Sequence, residues 1–169
     1  MNSYQINIDK KVLRLLGAQL YGDTPSIISE LVQNAYDADA TAVWITINTA
    51  SPNAIIVEDN GIGMTPAEIN SRFLNIGQDR RVSFPVSPGG RKVLGRKGIG
   101  KLAVFSLAKV IDVYSIKDGK VAACRLDFDE ITLHDGNPVT LDESKPPITS
   151  EYLSKAGTGT KIVLEKIQK

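Results

Sequence analysis

The chain has 169 residues, 42% hydrophobic and 23% charged, with 20 Lys+Arg against 19 Asp+Glu. That is the make-up of one globular domain with a sizeable core, and a net charge near zero singles out no class of partner. Cys124 is alone, which excludes an internal disulfide and argues against a Cys-based metal site; the start Met1-Asn2-Ser3-Tyr4-Gln5 lacks a signal-peptide core, no apolar run approaches membrane-spanning length, and a cytoplasmic location is the default expectation.

The first predicted helix runs near Lys10–Leu20. The second, Pro25–Ala38, is better signalled, with Thr24 as N-cap and Pro25 as first helical residue. Ile27, Leu31 and Ala35 mark its inward stripe. Glu30, Asn34 and Asp37 follow at i, i+4 and i+7, so they share one face close to that stripe instead of opposite it. Such a face can hold something charged at the edge of a core; the plain alternative is a helix whose polar residues merely border the core.

Strands are expected at Ala42–Thr49 and Ala54–Glu58. The second is apolar and β-branched and ends in Asp59-Asn60-Gly61-Ile62-Gly63-Met64, a turn signal in which glycines let the backbone approach a ligand. A helix near Pro66–Leu74 follows. From Arg80 to Lys101 come seven basic residues (Arg80, Arg81, Arg91, Lys92, Arg96, Lys97, Lys101) and no acid, interrupted by Pro85, Pro88, Gly89 and Gly90. This stretch reads as a mobile loop that closes over a phosphate-bearing ligand, as a solvated basic loop, or as a nucleic-acid patch.

Gly95-Arg96-Lys97-Gly98-Ile99-Gly100-Lys101 leads into a helix near Gly98–Ala108. A glycine loop feeding a helix presents backbone N–H groups and a positive dipole end to an anion, phosphate first of all. It is not a P-loop, because Leu102 stands where Ser or Thr is needed. Nor is it a dinucleotide fingerprint, because no strand precedes it.

Val110–Lys117 and Lys120–Phe128 read as a hairpin about Asp118-Gly119, which suits a type I′ turn. Leu126–Ser144 carries six acids and no Lys or Arg, and His134, the one histidine, falls in this turn-rich acidic region, where no catalytic or metal role is expected for it. Pro146-Pro147 marks a loop, and Thr160–Lys166 is the last predicted strand. Early helices and a late antiparallel meander give an α+β, two-layer sandwich without internal repeats.

Taken in order, Glu30-Leu31-x-x-Asn34-x-x-Asp37-Ala38, Asp59-x-Gly61-x-Gly63-Met64, Gly95-x-x-Gly98-x-Gly100 and Gly157-Thr158-Gly159-Thr160 resemble the nucleotide-binding boxes of the GHKL ATPases. That superfamily includes DNA gyrase B, the ninety-kilodalton heat-shock chaperones, histidine kinases, MutL and the microrchidia ATPases. The resemblance spans roughly residues 10 to 167 and implies the Bergerat fold, a mixed, mostly antiparallel sheet with helices on one face. It makes 1–169 a single ATP-binding domain with a lid at 77–101.

The resemblance also implies roles for single residues. Glu30 is similar to the family's general base for attack of water on the γ-phosphate, and Asn34 to its Mg²⁺ ligand. Asp37 corresponds to an acid near the nucleotide, Asp59 to the acceptor of the adenine amine, Gly61 and Gly63 to the glycines passing the base, and Met64 to an apolar adenine contact. Gly95, Gly98, Ile99, Gly100 and Lys101 fall on the phosphate-side lid, with Lys101 the best phosphate contact. Thr160 corresponds to a threonine at the adenine edge.

ATP and Mg²⁺ are therefore the expected ligands, with ADP as product. Slow hydrolysis is expected, with lid closure driving conformational change or dimerisation. A non-hydrolysing sensor and a histidine-kinase-like phosphotransferase module are the alternatives. Glu30 and Asp37-Ala38 look more like the chaperone, MutL and microrchidia branch. Relatives carry a C-terminal transducer domain beyond the last strand, so the chain is expected to be a fragment or a stand-alone switch. Relatives also often close as ATP-dependent homodimers.

Overall fold

The computed structural model describes residues 4–6, 23–51, 53–74, 86–94, 100–133, 139–141 and 157–167. The predicted helix at Lys10–Leu20, together with Arg80, Arg81, Gly95, Arg96, Lys97, Gly98, Ile99, His134 and Pro146-Pro147, lies outside these residues.

In chain order the elements are β1 (Tyr4–Ile6), α1 (Thr24–Asp37), β2 (Val43–Asn48), β3 (Ala54–Asp59), α2 (Pro66–Glu68), one π-helical turn (Ile69–Phe73), α3 (Gly100–Leu107), β4 (Ala108–Lys117), β5 (Lys120–Asp127), α4 (Phe128–Leu133), β6 (Val139–Leu141) and β7 (Gly159–Ile167). Five strands form one sheet in the order β2-β3-β7-β4-β5, and β1 pairs with β6 in a second, two-stranded sheet. Every strand pairing among the described residues is antiparallel.

The register aligns the inward positions of the large sheet into rows. Ile55, Leu164, Ile111 and Leu126 form one; Val57, Ile162, Val113 and Cys124 form the next, and the edge strand β2 continues the rows with Ile47 and Ile45, which are exposed. Ile27 and Leu31 of α1 and Val104, Phe105 and Leu107 of α3 join residues of these rows in a single core. A period of two on the strands and of about 3.6 on the helices brings the two apolar faces together, which is why the chain forms two layers. The third row breaks the pattern. It reads Val43, Asp59, Thr160, Ser115, Ala122, placing three polar side chains at one end of an apolar face.

Local chemistry explains the details. The N-cap of α1 is Asp23, not Thr24, and it makes no side-chain capping bond; Thr24 and Pro25 occupy the first turn. Pro25 fits there because its missing N–H has no intrahelical acceptor. The predicted helix at Pro66–Leu74 opens with a complete capping box between Thr65 and Glu68 and then widens into the π turn. Asp118 (φ 51°) and Gly119 (φ 69°) both take positive φ, as a type I′ hairpin turn requires.

On the opposite sheet face, Asp112 is buried and receives Arg125 in two parallel bonds of 2.8 and 2.6 Å. Cys124 is fully buried, and desolvation pushes its thiol up to about 12, so it packs as a small apolar residue.

Candidate functional site

The polar row is held by a dense set of bonds. Asp59 ends β3 with its side chain on the core face, 8% exposed. Its Oδ1 accepts the Gly61 N–H at 2.8 Å, and the Thr160 backbone N–H also donates to the carboxylate. Desolvation nevertheless dominates and pushes its carboxyl up to about 6, with both backbone bonds pulling the other way. Such a carboxylate is a strong acceptor with lone pairs beyond the two N–H groups it already takes.

Beside it, Ser115 Oγ accepts the Met64 N–H at 2.8 Å, bonds the Gly159 carbonyl at 2.9 Å and lies 3.1 Å from Thr160 Oγ1. The loop between Asp59 and Met64 therefore runs tightly against β4 and β7. Gly63 needs its glycine twice over: its φ is +67°, and a Cβ there would collide with the Ile116 carbonyl. At Gly61 a Cβ would stand 2.6 Å from the Ala38 carbonyl oxygen. Asn60 ties the same loop to the turn after α1, accepting the Thr41 and Ala42 N–H groups at 2.9 Å each.

The α1 face expected from the sequence is present. Glu30, Asn34 and Asp37 are half-buried and flank the buried stripe of Ile27, Leu31 and Ala35. Asp37 also has a structural partner, since its Oδ1 accepts the Leu94 N–H at 2.8 Å. The helix ends in a Schellman motif, with Ala40 N–H bonded to the Ala35 carbonyl and Asp39 N–H to the Tyr36 carbonyl, both at 3.0 Å. Asp39 sits at the left-handed position of that motif (φ 61°), where glycine is usual.

Its carboxylate explains the choice. It accepts the Ser87 hydroxyl at 2.6 Å and the Gly89 N–H at 2.7 Å and faces Arg91 at 3.9 Å. The Ser87 bond, more than any other, holds its carboxyl below the ordinary range. Arg91 in turn donates to the Ala40 carbonyl at 2.7 Å and lies 5.0 Å over the Tyr36 ring. Residues 86–94, the described middle of the basic stretch, are thus fastened to the C-terminal end of the helix that carries Glu30 and Asn34.

The structure brings Asp59, Gly61, Gly63, Met64 and Thr160 together, and sets Glu30, Asn34 and Asp37 along the neighbouring helix. Gly100 opens α3 and Lys101 follows it. Sequence reasoning missed Ser115 and the Asp39–Ser87–Arg91 cluster. A hydroxyl interrupting the inward positions of β4 was the one available signal for Ser115; the cluster depends on contacts some fifty positions apart in the chain, which no local pattern encodes.

A family model described as "Histidine kinase-, DNA gyrase B-, and HSP90-like ATPase" matches residues 24–160. A protein described as a type II restriction enzyme, HgiDII of Herpetosiphon aurantiacus, is 36% identical over 167 residues, covering 99% of this chain and 26% of that protein. The DNA mismatch repair protein MutL of Ehrlichia chaffeensis is 31% identical over 121 residues, 69% of this chain and 17% of its own length. The chaperone HtpG of Sulfurovum sp. is 25% identical over 155 residues, 79% of this chain and 25% of its own. The chain thus spans about a quarter or less of each of these relatives. The match supports ATP binding in general, and the chain belongs to the histidine kinase-, DNA gyrase B- and HSP90-like (GHKL) ATPases.

Proposed function

We propose that this chain binds Mg-ATP with its adenine against the Asp59–Thr160 row and its triphosphate along α1 toward Gly100 and Lys101, and hydrolyses it slowly. The observation that carries the reading is the Asp59 carboxylate, buried at one end of an otherwise apolar face and pushed up to about 6 by desolvation. A charge placed at such a cost is expected where a ligand donor offsets it, and the adenine amine is a donor of the right kind. Gly61 and Gly63 supply the close backbone passage a flat base needs, and Met64 an apolar contact.

Glu30, half-buried four residues before Asn34, is the general base for the attacking water. Asn34 fits Mg²⁺ as a single neutral oxygen ligand, because this ion keeps several waters and takes the rest of its shell from phosphates. When bound, the ion supplies neutralisation of the phosphate charge.

Residues 77–101 act as the lid, with 86–94 as its fixed root on the end of α1. Closure of the lid drives conformational change or dimerisation, with a C-terminal transducer or a partner protein reading it out. No helix among the described residues is long and apolar enough to cross a membrane. Two of the relatives are described as a restriction enzyme and a mismatch-repair protein, which favours a second reading of the exposed Lys92 and its basic neighbours as lying near DNA.

The deciding comparison is phosphate release by Glu30→Ala against the parent. The expected result is a loss of about 100-fold or more with ATP binding retained. Unchanged release would remove Glu30 as the base, and no release from either protein would favour a non-hydrolysing sensor.

A further inference from the structure

We infer that Ser115 is a specificity-determining residue of this site: it fixes the Thr160 hydroxyl as an acceptor toward the base and so excludes bases that present a carbonyl where adenine presents an amine. The inference rests on the adenine reading of the Asp59 row and deepens it.

The protons available fix the direction of each bond. A serine hydroxyl has one proton and two lone pairs. Ser115 Oγ has three partners: the Met64 N–H at 2.8 Å, the Gly159 carbonyl at 2.9 Å and Thr160 Oγ1 at 3.1 Å. The Met64 N–H can only donate, and the Gly159 carbonyl can only accept. The Ser115 proton is therefore committed to Gly159, and one lone pair to Met64. The Thr160 contact is then served by the Thr160 proton entering the remaining lone pair.

With that proton used, Thr160 Oγ1 has only lone pairs left for anything else. Asp59, its cross-strand neighbour, already takes two backbone N–H groups and offers further lone pairs. The edge that Asp59 and Thr160 present together is made of acceptors. An exocyclic amine can serve both, whereas a carbonyl oxygen meets acceptors alone and loses its water without replacement.

Burial gives the arrangement its force. Ser115 is 0% exposed and Thr160 7%. A buried hydroxyl between Val113 and the end of an apolar strand costs stability unless its bonds are made, and here all three are. Nothing in the strand itself requires a serine, since the equivalent inward positions of β4 are Ile111 and Val113.

The test is calorimetric titration of Mg-ATP and Mg-GTP into the full chain and into Ser115→Ala, Ser115→Cys, Ser115→Thr, Thr160→Val and the Ser115→Ala/Thr160→Val double variant. Removing the acceptor at 115 frees the Thr160 proton to turn toward a carbonyl. The ATP-over-GTP ratio of affinities is expected to fall by about tenfold or more in Ser115→Ala, and in Ser115→Cys, a weak acceptor that keeps the volume. Ser115→Thr, which keeps the hydroxyl, retains the ratio. In the Thr160→Val background the Ser115→Ala change has no further effect on it.

A role confined to holding the Met64 loop would weaken both nucleotides equally and leave the ratio intact. That result in the alanine and cysteine variants overturns the role of Ser115 while leaving ATP binding in place. A parent chain that binds neither nucleotide overturns the adenine reading itself.

Discussion

Asp39 shows how a single residue can be chosen against local backbone preference. A left-handed backbone costs a non-glycine residue on the order of 1 kcal/mol, yet the carboxylate there gathers Ser87, Gly89 and Arg91. Stability and anchoring should therefore separate. Asp39→Gly relaxes the backbone but gives up the Ser87, Gly89 and Arg91 contacts, so the two effects offset and a urea melt is expected to show a midpoint close to the parent's or slightly below it. Limited proteolysis within 86–94 is expected to accelerate several-fold, because this segment is released from the C-terminal end of α1. Slower or unchanged cleavage would show that the remaining Asp37 and Arg91 contacts are sufficient. Gly63→Ala has no such compensation: the positive φ and the clash with Ile116 add, and a loss of about 2 kcal/mol or more is expected in the same melt.

Among the elements, the sheet carries most of what the sequence made legible, and the reasons are physical. β3, β4, β5 and β7 were readable because their apolar or alternating runs record burial directly, β2 because its β-branched alternation suits a strand even at an exposed edge, and the hairpin because Asp118-Gly119 names its turn. The inward stripe of α1 was readable for the same reason, and with it the half-buried positions of Glu30, Asn34 and Asp37. The three-residue β1 and β6 left no signal, since their identity depends only on pairing with each other across the chain. α4 was absorbed into the predicted strand and the acidic loop, because Phe128–Leu133 is too short to show a helical period.

The Asp112–Arg125 pair, also invisible locally, joins β4 to β5 on the outer face. Arg125→Ala is expected to cost about 2–3 kcal/mol in denaturant melts, less than a wholly buried pair because the guanidinium keeps an exposed edge. Replacing both residues by apolar ones of similar volume should recover most of that loss. Failure to recover it would mean that the pair stabilises β4 and β5 beyond satisfying its own buried charge.

At the scale of the whole molecule, the site contributes a pH dependence of its own to the stability of the fold. The Asp59 carboxyl rises from 3.8 to about 6 on burial. The folded state therefore holds the proton more tightly than the unfolded state does. This contributes stability fully present below the unfolded value and lost as pH climbs through about 6, amounting to about 3 kcal/mol. Carboxylates lowered by their partners, Asp39 and Glu68, act in the opposite sense. The effect is therefore isolated by comparing Asp59→Asn with the parent. The variant's relative stability is expected to grow between about pH 4 and about pH 7 in parallel thermal melts. A flat difference would mean that Asp59 is better solvated than its burial indicates. The same substitution should weaken adenine recognition, so that stability and function pull in opposite directions at this residue.

The central claim is that the Asp59 row receives an adenine amine. Calorimetric titration of ATP and GTP with Mg²⁺ into the parent and Asp59→Ala at neutral pH tests it most directly. The account predicts saturable heat with ATP, at least about tenfold weaker binding of GTP, and loss of the ATP signal in the variant. Equal binding of the two nucleotides, or ATP binding that survives the substitution, would contradict it.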